Sequence, residues 1–112
     1  MFVLHLLERT DNGKILILNV SKTLSHWAEG YKDLSIIYCH DDNFEVPSIV
    51  EGHLNLSGDL MVDKQVTKLS QIDAIAIEKA AITGLDVETC LHFLSDYALI
   101  SVQIYLENQN AN

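Results

Sequence analysis

Cys39-His40-Asp41-Asp42 is the densest run of chemically able side chains in this sequence, since thiolate, imidazole and carboxylate all bind zinc. His53 would approach this run if a third strand pairs with the hairpin that follows, and Cys90-x-His92 could add further ligands. Neighbouring residues of a strand point to opposite faces, however, so Cys39 and His40 are poorly placed to hold one ion together. A calcium loop begun at Asp41 would have Asn43 and Glu45 at its third and fifth positions. Its sixth position is Val46 instead of glycine, and its twelfth is Gly52 instead of glutamate. The reading is therefore no metal and no cofactor, with Cys39 and Cys90 packing as small apolar groups.

Catalytic patterns are equally thin. The five glycines are too scattered to cradle a phosphate, and neither a Gly-x-Ser-x-Gly elbow nor a His-Glu-x-x-His pair occurs. His5 lies in an apolar run and reads as a satisfied interior histidine, while His26 beside Trp27 reads as surface or rim. His40 or His53 with neighbouring carboxylates is what a small enzyme would use here. No nucleophile, base and electrophile stand in evident mutual reach, and the chain is read as a non-enzyme.

Charge is the most uneven property. Sixteen acidic residues against seven basic ones give a formal net charge of −9. Such a surface repels nucleic-acid phosphates and anionic membranes and attracts basic proteins, chiefly by speeding association. Asp41, Asp42, Glu45, Glu51, Asp59 and Asp63 contribute −6 in a stretch that holds no basic residue, and residues 83–112 contribute a further −4. The first of these stretches is the expected partner-binding surface.

The elements that must carry these residues follow from periodicity. Residues 2–7, almost all apolar, and apolar residues 15–18 flank Asp11-Asn12-Gly13, a hairpin signal, and both arms are apolar on both faces. Ser21 could cap a short helix ending at Gly30, and Asp33–His40 reads as a third strand. Residues 49–56 and 59–62 around Ser57-Gly58 form a second hairpin with one wet face, and Pro47 precedes it in a polar loop. Val66, Leu69, Ile72, Ile75 or Ala76, and Ala80 then recur at helical spacing, with Gly84 closing the helix. Asp86 caps a second helix through Val87, Cys90, Leu91, Leu94, Tyr97 and Ala98. Ile100, Val102, Ile104 and Leu106 alternate with other side chains and predict a final strand.

These elements make an α+β fold: a mainly antiparallel sheet of five to six strands, two helices on one face and a short additional helix. Residues 1–107 read as one domain and 108–112 as a polar tail. The first residues lack a basic segment and a small-residue cleavage site, so a cytoplasmic protein with reduced thiols is expected. The functional expectation is an acidic binding protein that inhibits a basic protein partner, most concretely an immunity-type protein neutralising a nuclease-like toxin. The alternatives are a homo-oligomeric structural subunit, whose apolar excess is buried between copies, and the small enzyme above.

Overall fold

The computed structural model describes residues 2–10, 12–21, 36–39, 46–58 and 60–109. Five strands, β1 (Phe2–Arg9), β2 (Ile15–Ser21), β3 (Ile36–Cys39), β4 (Ser48–Leu54) and β5 (Leu60–Lys68), form one antiparallel sheet in the order β3-β1-β2-β4-β5. Three helices follow: α1 (Gln71–Ile82), α2 (Val87–Leu91) and α3 (Asp96–Gln109). The class is α+β. The helix expected after Ser21 lies outside the described residues.

Both expected hairpins form. Gly13 (φ +82°) closes the β1–β2 turn, and Gly58 (φ +84°) closes the β4–β5 turn; both occupy the left-handed region that glycine enters without steric cost. Register then fixes the faces. Leu18 opposite Ile49 and Leu16 opposite Glu51 share the helix side, while Ile17 opposite Val50 and Ile15 opposite Gly52 share the other. The helix-side core joins Leu16, Leu18, Val20 and Ile49 to Ala74, Ile77, Cys90, Leu91, Ala98, Val102 and Tyr105. A second cluster of Leu4, Ile15, Ile17 and Val50 lies on the opposite face. Apolar residues on both faces of β1 and β2 thus correspond to two cores. β4 is buried on both faces from Ser48 to Gly52, so the wet face expected for the second hairpin is confined to β5 and the turn-proximal end of β4.

Two elements differ from the sequence reading. The helical stripe drawn from Val66 begins too early, because β5 continues through Lys68 and Ser70 caps α1 by accepting from the Asp73 amide. That cap sets the phase so that Ala74, Ile77, Glu78 and Ala80 face inward, leaving Ile72 and Ile75 exposed. The expected C-terminal strand is the body of α3, and the expected second helix breaks after Leu91. Ile100, Val102, Ile104 and Leu106 do alternate, yet Ala98, Val102 and Tyr105 carry a spacing of four and three, and these are the buried residues. Only Val102 belongs to both patterns, and packing against the sheet selects the helical one. α3 also absorbs Asn108 and Gln109 of the expected tail, and Gln109 Oε1 accepts from Asn12 Nδ2 in the first hairpin turn.

Candidate functional site

Of the six carboxylates expected to form the partner surface, Asp41, Asp42, Glu45 and Asp59 lie outside the described residues, as does His40. The other two have neighbours that engage them. Glu51 is buried at 6% exposure on the helix side of β4, where its Oε2 accepts the Tyr105 hydroxyl at 2.6 Å. This is a correction: Glu51 is a tie between sheet and α3, enclosed by the fold and out of reach of a partner. The Tyr105 ring also lies 5.8 Å from Lys64 Nζ, within cation–π range. Burial, and then the bond to Glu51, push the Tyr105 hydroxyl pKa well above its ordinary value.

Asp63 is exposed, at the irregular step of β5 between Lys64 opposite Glu51 and Val62 opposite Gly52. Its Oδ2 lies 2.8 Å from His53 Nδ1 and 3.4 Å from Lys14 Nζ. Its partial burial raises its pKa, but His53 and Lys14 together outweigh that and hold it below the usual carboxylate range. His53 is thus paired with a carboxylate, as a small enzyme would require, and the remaining contact in the cluster is a lysine. No nucleophile joins it among the described residues.

Among the described residues, Cys90, His92 and His5 do not converge. Cys90 is in the helix-side core, its Sγ donating to the Leu85 carbonyl at 3.5 Å, and burial followed by the nearby Asp86 raises the thiol pKa. His92 is exposed at the end of α2. No group of three or more metal-ligating side chains occurs among the described residues. His5 is interior, as expected, and its Nε2 lies 2.7 Å from Glu78 Oε2, with both side chains almost wholly buried. Glu78 sits on the inward face of α1, where its helical neighbours give no hint of burial, so sequence reasoning missed the pair.

A solvent-facing arrangement of unpaired carboxylates does occur, elsewhere. α2 is capped by Asp86, which accepts from the Thr89 amide at 2.8 Å and is held below its ordinary pKa by its bonds to Thr89. α3 is aligned at its start by Asp73 of α1, whose Oδ2 accepts from the Ser95 amide at 3.0 Å. Between α2 and α3 runs an open groove of about 430 Å³ with Val87, Leu91 and Leu106 as apolar lining and Glu88, Gln103 and Glu107 as polar lining. Glu88 and Glu107 are exposed, and among the described residues neither has an ion-pair or hydrogen-bond partner for its carboxylate. At 100° per residue, Glu107 falls between this groove and an outward stripe of Tyr97, Ile100 and Ile104, which are 75%, 54% and 53% exposed. The signal for this surface was present in the sequence: after Lys79 the chain contains no lysine or arginine.

Among the described residues no helix is long and apolar enough to cross a membrane. No protein-family model matches the chain, and no curated protein or solved structure matches it.

Proposed function

We propose that this chain is an acidic binding protein that captures a basic protein partner on its α2–α3 face. The observation that carries the reading is the α2–α3 groove, in which Glu88 and Glu107 stand unpaired among the described residues, beside an apolar lining. A lysine or arginine side chain suits such a groove, because its methylene stem packs on Val87, Leu91 and Leu106 while its charged end meets the carboxylates. The Tyr97–Ile100–Ile104 stripe beside Glu107 supplies the apolar contact that a purely electrostatic encounter lacks. Inhibition of a nuclease-like toxin is the most concrete form of this function, since carboxylates then occupy a cleft built for phosphates. A second copy is the poorer occupant: Asp86, Glu88, Asp96 and Glu107 would face their own kind, with no lysine or arginine on these helices to relieve them.

The test is capture of partners from the cells that make the chain, followed by binding kinetics at two salt concentrations and a nuclease-inhibition assay. Association should slow as salt shortens the screening length from ~10 Å at 0.1 M to ~3 Å at 1 M. E88Q/E107Q should weaken binding at least about tenfold, since each carboxylate buried against a cation is worth roughly 2–5 kcal/mol when one partner is removed. A basic partner bound equally well by E88Q/E107Q, with no salt dependence in its association rate, would overturn the proposal.

A further inference from the structure

On the face of the sheet opposite the helices lies a second concavity, a cavity of about 200 Å³ lined by Leu4, Leu6, Ile15, Ile17, Leu54 and Leu60, with Arg9 supplying a charged group. Its floor is the second core: Leu6 opposite Ile17 on β1 and β2, and Leu54 opposite Leu60 on β4 and β5. Gly52 accounts for part of the room. It pairs with Ile15 on this face and contributes no side chain, and its position faces Ile17 Cδ1 and Leu60 Cδ1, both of which line the cavity. Any Cβ there would come within 2.7 Å of the Met61 carbonyl oxygen, so glycine is required by the backbone and the row stays bare.

Arg9 is the chemical marker. It is exposed, and its guanidinium has no hydrogen-bond or ion-pair partner among the described residues, although the chain carries sixteen acidic ones. Glu8, its neighbour in sequence, turns its carboxylate to the Arg9 backbone amide instead, at 3.2 Å. An aliphatic cavity with one unpaired guanidinium is complementary to a molecule with an apolar body and an anionic end, and a planar carboxylate matches the guanidinium fork. Size sets the body. A cavity of ~150 Å³ holds benzene, so about 200 Å³ holds a chain of roughly eight carbons.

We infer that this cavity binds a medium-chain alkyl carboxylate, with the chain among Leu4, Leu6, Ile15, Ile17, Leu54 and Leu60 and the carboxylate on Arg9. The site is on the opposite side of the sheet from the α2–α3 groove and stands or falls independently of the function proposed for that groove.

Titration of the whole chain with butanoate, hexanoate, octanoate and decanoate, read by calorimetry and by methyl NMR shifts, tests this. Octanoate should bind saturably and shift the methyls of Leu6, Ile15, Ile17 and Leu60, and affinity should rise from butanoate to octanoate and then level off. Octylammonium should bind at least about tenfold more weakly than octanoate, and R9Q, a change at an exposed residue, should weaken octanoate by at least about tenfold. Acetyl-Leu-Leu, a peptide C-terminus of similar bulk, should bind more weakly than octanoate. The inference is overturned by absence of saturable binding, by shifts confined to other residues, by equal binding of octylammonium, by an R9Q variant that binds octanoate as well as the parent, or by tighter binding of the peptide terminus.

Discussion

Replacing Tyr105 by phenylalanine removes one oxygen from the protein and leaves the ring where it is. The ring packs in the helix-side core and under Lys64, so nearly all apolar contact survives. What is lost is the donor to Glu51, a side chain at 6% exposure whose Oε2 accepts that hydroxyl at 2.6 Å. A hydrogen bond to a charged group contributes about 1.5–3 kcal/mol, and a carboxylate left buried without its donor is at the upper end of that range. For 112 residues the unfolding entropy near 60 °C is about 0.24 kcal/mol/K, so Y105F should lower Tm by roughly 6–13 °C. Combining Y105F with E51L, which removes the stranded acceptor, should cost less than the two single changes summed. There is an alkaline signature as well. The Tyr105 pKa is raised in the folded state above its ordinary value of 10.0, so folding favours the protonated hydroxyl. That stability is complete below pH 10, declines as pH rises toward the folded-state pKa at up to about 1.4 kcal/mol per unit, and is absent from Y105F. Urea and thermal melts of parent, Y105F, E51L and the double variant, at pH 7 and above pH 10, provide every quantity. A Tm change under about 2 °C for Y105F, or strict additivity in the cycle, would refute the assignment of Glu51 to the interior.

Two further outcomes follow from buried polar groups. E78A or H5A should each destabilise by about 3–5 kcal/mol by stranding its partner in the core, while H5L/E78L should cost less than either alone, as chemical denaturation will show. S48A should be neutral or stabilising by about 1 kcal/mol, because Ser48 is fully buried and its Oγ has no hydrogen-bond partner among the described residues; a loss of more than about 0.5 kcal/mol in a thermal melt would mean the hydroxyl is engaged.

The local grammar of the chain was readable where a residue type has one conformational use. Gly13, Gly58 and Gly84 all adopt φ between +82° and +84°, and Asp86 caps its helix with its side chain, whereas the cap at Ser70 was hidden by an apolar stripe that begins at Val66. Patterns with two solutions were not readable in advance. Residues 98–106 satisfy both a strand period and a helix period, and the decision rests with Val102 and Tyr105 packing onto the sheet. Glu51 was misplaced for a related reason. Glu51 counts as −1 in any tally of the acidic stretch, but its direction is set by its register opposite Leu16, which aims it at the helices. Burial converts a charge from a surface property into a fastening, and composition cannot distinguish the two. The carboxylates Glu88 and Glu107 were equally visible, yet only the adjacency of α2 and α3 brings them to one groove.

The position of β5 at the end of the sheet order has a consequence for how this molecule can join anything else. A terminal strand presents unpaired backbone groups that invite another chain to add on as a further strand. Here that row is interrupted: β5 has two breaks in register against β4, and it places Asp63 and Lys64 side by side on exposed positions. Kinked spacing and alternating charge deny an incoming strand the even ladder it needs. Growth of the sheet in that direction is disfavoured, which works against edge-to-edge aggregation through β5.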